Sequence, residues 1–358
     1  MGPQAPEKRI PRRGALGLGA LALGAVLLTG TLRSCRVRLE DDAPHVPLVP
    51  TREPTPDEGL LVQAWADAVR LGRMASAAGA SGAAAARLHT AQAATLDQVL
   101  RDRRVPREIR SRGTAAASTV PSAAPATGGA ATSAPGTAAP GLAAAEAAAW
   151  AAAAVDALAH AQAPQLPLLA SVAVCRARLA DLGGARVPWP AWDDAPSPVD
   201  ATLVAALREA RFYLEVAAAR TPGASRAPVQ RELARVTALV VLLQSRAGGA
   251  GPASAGDGGP GRAVRVDPTP TSSADAGTTP APEARAAWPL PFPVSDATAA
   301  RRLVAHALRT LELRLGAAWP AAAGSREAVV SVSRLVHATV AAGEAWGVPL
   351  RAFPGLAP

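Results

Sequence analysis

Asparagine is absent from the 358 residues, lysine occurs once (Lys8) and isoleucine twice (Ile10, Ile109). These residue types share AT-rich codons, so the gaps point to a GC-rich coding sequence rather than to a special chemistry. Two cysteines are too few for a disulfide scaffold or a Cys-based zinc module. Five histidines and 28 acids, all scattered, argue against a dense metal site. Aromatic residues make up 3% of the chain and β-branched residues are sparse, which argues against an all-β fold. There is no Gly-x-Ser-x-Gly elbow, no phosphate-binding loop and no His-Glu-x-x-His. The glycine-rich run 247–262 follows a helical pattern rather than a strand, so its context is that of a linker.

What is abundant is alanine, about a quarter of all positions, set among leucine, valine and arginine. Such segments favour helix and predict an all-α protein. The length suits roughly two domains of about 150 residues. The formal charge of +9 divides on inspection: Lys8, Arg9, Arg12, Arg13 and Arg33 against Glu7 leave +4 before Cys35, and the other +5 is spread over the rest. The densest cluster, Arg101 to Arg112, carries Asp102 and Glu108 and lies where a helix ends, at the negative end of its dipole. No aromatic side chain interleaves it to stack bases, so nucleic acid is not expected as a partner.

The N-terminus is more specific. A basic stretch (7–13) precedes an uncharged run, GALGLGALALGAVLLTG (14–30), and Cys35 follows. That order describes a secretory signal, with the arginines held on the cytoplasmic side. The run is short against the about 20 residues of a comfortable membrane span. Leu32-Arg33-Ser34-Cys35 resembles a bacterial lipobox, which would place a lipid on Cys35, although Arg33 departs from that pattern. Three readings fit: a lipoprotein, an uncleaved single-pass anchor and a cleaved signal. All three place residues 40–358 outside the cytoplasm, and the lipid or single N-terminal anchor would hold them on the outer face of the cell membrane. Lipidation would leave Cys175 a lone thiol; otherwise a Cys35–Cys175 bridge is open in an oxidising compartment. Cys175 itself reads as a small buried apolar residue on a helix.

The chain divides into a leader or anchor (1–35), a proline-rich tether (36–56), an N-terminal helical bundle (57–184) and a C-terminal bundle (198–358). Segments 111–140 and 248–287, rich in Ala, Ser, Thr, Pro and Gly, have little to bury and are expected to be disordered insertions. Helices are predicted from Asp57-Glu58, over 81–104, 142–160, 165–182, 198–220, 225–248, 295–319 and 325–346. Ser197, Ser225, Ser295 and Ser325 are placed to cap the last four. The result is two bundles of about four helices each, with core stripes at Val304, Leu308, Leu311 and Leu315 and at Val329, Val332, Val336 and Val340.

Residues 199–356 resemble an actinobacterial ferritin-like domain family of unknown function. The likeness rests on LVAALREARFYLEVAAAR (203–220), LPFPVSDATAARRL (290–303) and WGVPLRAFPGL (346–356). The segment CRVRLEDDAPHVPLVP (35–50) is similar to the leader of lipoproteins that carry such domains. The resemblance implies a four-helix bundle, some of which hold two iron ions through Glu and Glu-x-x-His ligands. Here the position three before each helical histidine is Ala86 for His89, Ala157 for His160, Leu303 for His306 and Arg334 for His337. Glu232 has Arg235 where the pattern wants His. No metal and no cofactor are therefore expected.

Glu209, Glu215 and Glu312 read as solvated or arginine-paired residues. His306 is expected to face solvent and His337 to border the core. Trp65, Trp150, Trp319 and Trp346 read as core or edge anchors. Trp189, Trp192 and Trp288, beside prolines, read as pins of loops onto the bundles. No catalytic residue is visible. The expectation is a membrane-tethered extracytoplasmic protein that binds an envelope partner or supports the envelope. The alternative is a ferritin-like metal-binding protein or oxidoreductase with a degenerate site.

Overall fold

In the first half, Glu58 and the apolar spacing Leu61, Ala68, Leu71, Ala75 start α1 (Glu58–Ala77) and give it one buried face. Asp57 precedes it without capping its own helix; its carboxylate accepts the Gln162 N–H at 3.1 Å instead. A tight turn leads into α2 (Ala83–Asp102), and these two helices form an antiparallel pair. The computed structural model describes residues 52–111, 140–192, 195–248 and 288–357. The leader, the tether up to residue 51 and the bulk of both expected insertions lie outside the described residues. The described residues contain helices and no strand, as the composition predicts.

The alanine-rich stretch predicted as one helix over 142–160 is broken. It forms α3 (Pro140–Ala147), a 3₁₀ turn and α4 (Ala152–Ala159), with Ala151 extended at φ −61°, ψ 150°. Trp150 explains the break. Its ring is fully buried and its Nε1–H donates to the Ala173 carbonyl at 2.9 Å, a tertiary demand that outweighs alanine's helix preference. The next helix, α5 (Leu166–Leu182), is buried on nearly all sides and touches α1, α3 and α4.

The second half contains α6 (Asp200–Arg220), α7 (Arg226–Gly248), α8 (Ala297–Gly316), the single turn α9 (Trp319–Ala322) and α10 (Arg326–Ala345). The helix expected over 295–319 stops at Gly316, and the capping expectations meet mixed outcomes. Ser325 caps α10 through the Ala328 N–H at 3.2 Å. Asp296, not Ser295, caps α8 by accepting the Ala299 N–H at 2.8 Å. At α6 the carboxylate of Asp200 reaches back to the Ser197 N–H at 2.9 Å while the Ser197 hydroxyl has no hydrogen-bond partner. Ser225 lies at the end of a 3₁₀ turn before α7.

In this second set α6 packs against α7 and α8, and α8 against α10. Helices α7 and α10 stand further apart. Arg235 donates across the gap to the Ala338 carbonyl at 3.3 Å, and Arg246 to the Ser331 hydroxyl at 3.4 Å. The predicted stripes on α8 and α10 are core. Helix α10 also packs on α4 and α5, so one hydrophobic core runs through both helix sets. The described residues from Pro54 onward accordingly form a single unit.

The chain then doubles back over this seam. The Gln92 amide donates to the Ala352 carbonyl at 2.8 Å and the Ser171 hydroxyl to the Pro354 carbonyl at 2.8 Å. Glu312 accepts the Gly355 N–H at 2.8 Å and is paired with Arg309 at 3.0 Å and Arg351 at 3.1 Å. Gly355 sits at φ +81°, and a Cβ there would lie 2.7 Å from the Trp319 ring. A Cβ on Gly316 would lie 2.1 Å from the Gly355 carbonyl oxygen. Both positions require glycine for this close passage.

Candidate functional site

The most concentrated polar chemistry lies inside the first helix set. His89 and Gln92 are one turn apart on α2 and wholly buried. His89 Nε2 meets Glu146 Oε1 of α3 at 2.5 Å, and His89 Nδ1 meets Gln92 Oε1 at 3.0 Å. Both ring nitrogens thus face oxygens, and Nε2 is hydrogen-bonded to the Glu146 carboxylate. The other Glu146 oxygen lies 3.4 Å from Arg176 Nε of α5. Arg176 continues to the Ala145 carbonyl at 2.8 Å and to Asp67 of α1 at 3.2 Å, and Asp67 holds Arg70 at 3.0 Å. Cys175 is fully buried beside this chain, and its thiol pKa is raised by burial first and by the Glu146 charge second. A thiol held protonated this firmly is a poor nucleophile.

This network ties α1, α2, α3 and α5 together, with Glu146 Oε2 and Arg176 Nε at ion-pair distance but without a hydrogen bond between them. Composition gave a signal for it: Glu146 is the one charge in the apolar stretch 140–155, and Arg176 interrupts an apolar run. Sequence spacing did not reveal the pairing, because His89 and Glu146 are 57 residues apart and sit on different helices.

The other histidines lie elsewhere. His160 is exposed, with Nδ1 at 2.7 Å from the Asp156 carbonyl. His306, expected to face solvent, is half-buried, its ring 5.8 Å from Tyr213 and 6.3 Å from Phe292. The Pro-Phe-Pro-Val strap folds over this face and brings Phe292 there. His337 borders the core, 2.9 Å from Asp181 and with its ring tilted against that of Trp189 at 5.3 Å. Burial lowers its pKa, opposed by the Asp181 charge. Among the described residues no three His, Cys, Asp or Glu side chains are placed to hold a metal ion.

The carboxylates singled out from sequence each meet arginine: Glu209 with Arg314 at 3.5 Å, Glu215 with Arg211 at 2.8 Å and Glu312 with Arg309 and Arg351. Glu312 is buried rather than solvated, because the returning C-terminal segment covers it. Glu232 pairs with Arg235 at 2.9 Å. The tryptophans divide as expected. Trp150 and Trp319 are fully buried, Trp189 packs 4.3 Å from Trp150, and Trp288 packs 5.7 Å from Phe212. Trp192 is held by guanidinium groups of Arg246 at 5.4 Å and Arg334 at 5.1 Å. Arg246 itself is buried and lies 3.6 Å from Asp200.

Open surface is found at one end of the second set. A cavity of about 560 Å³ lies between the start of α7, the start of α8 and the end of α10. Its lining includes Pro228, Arg231, Glu232, Thr298, Arg301 and Trp346. The Arg301 guanidinium lies 5.8 Å from the Trp346 ring centroid. Its size falls within the range of small-ligand sites. No protein family, curated protein or solved structure matches the chain.

Proposed function

We propose that this chain is a membrane-tethered extracytoplasmic helical protein with a binding or envelope-support role rather than an enzyme. Its leader (1–35) and Cys35 supply the tether, and the unit from residue 54 supplies the binding body. The observation that carries this reading is how the polar groups are divided. The buried acids and bases of the first set face one another, whereas a cleft in the second set presents arginines without a carboxylate partner to solvent. A catalytic centre needs titratable groups that reach a substrate. The interior network is closed over by helices.

The same reading takes residues 199–356 as a ferritin-like bundle that lacks the metal chemistry of some such bundles. Four long helices fall in this segment, which supports the likeness. The residues present do not fit a di-iron centre. The space between α7 and α10 is bridged by Arg235 and Arg246, and guanidinium groups there repel a cation.

Crosslinking in the native envelope followed by identification of the captured species tests the proposal. A reproducible specific partner is the expected result, with Cys35 carrying lipid in the mass spectrum of the mature N-terminal peptide. Stoichiometric, tightly held iron in the purified chain, with nothing specific captured, would overturn the reading in favour of a metal-dependent protein.

A further inference from the structure

We infer that the cleft between α7, α8 and α10 is a binding site for an organic anion, a phosphate or carboxylate group carrying an apolar portion. The inference deepens the binding-module reading and rests on it, but it does not depend on the tether.

The charge at this end of the bundle is uneven. Glu232 lines the cleft, but its carboxylate is already bound by Arg235 at 2.9 Å. Asp296 stands at the start of α8 with its carboxylate occupied by the Ala299 N–H. Glu344, near the end of α10, is paired with Arg178 at 2.5 Å. Among the described residues Arg231 and Arg301 have no carboxylate partner, and both line the cleft. Arg226, at the start of α7, donates to the Thr221 carbonyl at 2.9 Å, so the negative end of α6 is covered as well. An anion entering here meets two guanidinium groups suited to forked hydrogen bonds with phosphate or carboxylate.

The walls set the second half of the ligand. Trp346 offers a flat apolar face with Arg301 lying beside it. Pro228 and Ala297 add further apolar surface. A bare inorganic anion would leave these walls wet. An anion with an aryl or alkyl portion covers them, and the area removed from water adds to the affinity. Lipid headgroups and soluble metabolite-like anions share this chemistry.

Calorimetric titration of the full chain, in neutral detergent, with phenyl phosphate, inorganic phosphate and phenol tests the assignment. Phenyl phosphate is expected to bind at least ten-fold more tightly than either half alone and to shift the Trp346 indole resonance. The double variant Arg231→Gln/Arg301→Gln is expected to weaken it at least ten-fold, and Trp346→Leu to remove the advantage over inorganic phosphate. The exposed, paired Arg211→Gln serves as the control and should change nothing. Both arginines are surface residues, so the variants should fold, which circular dichroism verifies. Equal binding of phenol and phenyl phosphate, or unchanged binding in the double variant, overturns the proposal. Adding phosphatidylglycerol vesicles separates the sources: displacement of phenyl phosphate assigns the anion to a lipid headgroup, and its absence to a soluble molecule. Either result sustains the anion site. Failure of anion binding with export intact sinks this inference alone, whereas a cytoplasmic chain that binds phenyl phosphate sinks the tether alone.

Discussion

Glu146 is where a single side chain carries the most consequence. It is buried, hydrogen-bonded to His89 and faces Arg176. Removing one member of a buried ionic pair leaves the other charge uncompensated, which costs about 3–5 kcal/mol. Glu146→Ala should lower unfolding stability in urea by that amount, while Glu146→Gln, which keeps the volume and hydrogen-bonding capacity, should cost less. Equal stability of Glu146→Ala and the parent would show that the network is not closed as described. His337 makes a pH prediction. Burial holds its pKa below the ordinary value of 6.5, so the unfolded chain binds a proton that the folded chain refuses. Stability should therefore fall as pH drops below about 6.5 towards the lowered value, and level off beneath it. Denaturation midpoints measured between about pH 7 and pH 5.5 should fall less steeply in His337→Gln than in the parent.

Among the elements, the caps give the sharpest contrast. Ser325 and Ser295 look alike in sequence, each a serine just before an apolar helix. Only Ser325 accepts a helix N–H, because Asp296 takes that role at α8. Ser325→Ala should cost about 1 kcal/mol, and Ser295→Ala should stay within about 0.5 kcal/mol. Thermal melts of the two variants check this directly. The long, strongly periodic helices were legible from sequence, since α8 and α10 each show one apolar stripe and a capping residue. The break at Ala151 was not. Alanine on both sides gives helix propensity no reason to stop, and the cause is a carbonyl on α5 that binds the Trp150 indole. The interior network was hidden for a similar reason: each partner sits on a different helix. Only the lone charges in apolar runs, Glu146 and Arg176, hinted at it. The cleft at the end of the second set was likewise illegible, because Arg231, Arg301 and Trp346 come from three helices that only the fold assembles.

At the scale of the molecule, the two helix sets share one core, and the C-terminal segment fastens them together. Calorimetry should show a single cooperative transition for the unit beginning at residue 54. Truncation after Leu350 strips Glu312 of Arg351 and the Gly355 N–H, and should cost at least about 3 kcal/mol. Two well-separated transitions in the full chain would mean that the halves fold independently. The functional account places this tail-locked body outside the cytoplasm on a membrane tether. Among the described residues no single helix is long and apolar enough to cross a membrane, and the proposed tether is the leader. The most direct measurement is a fusion of alkaline phosphatase, which is active only where its disulfides form, to the end of the full chain in a bacterial host. The account predicts strong phosphatase activity in the membrane fraction, lost when residues 1–35 are deleted. An inactive fusion that accumulates in the cytoplasm with its leader intact would contradict it.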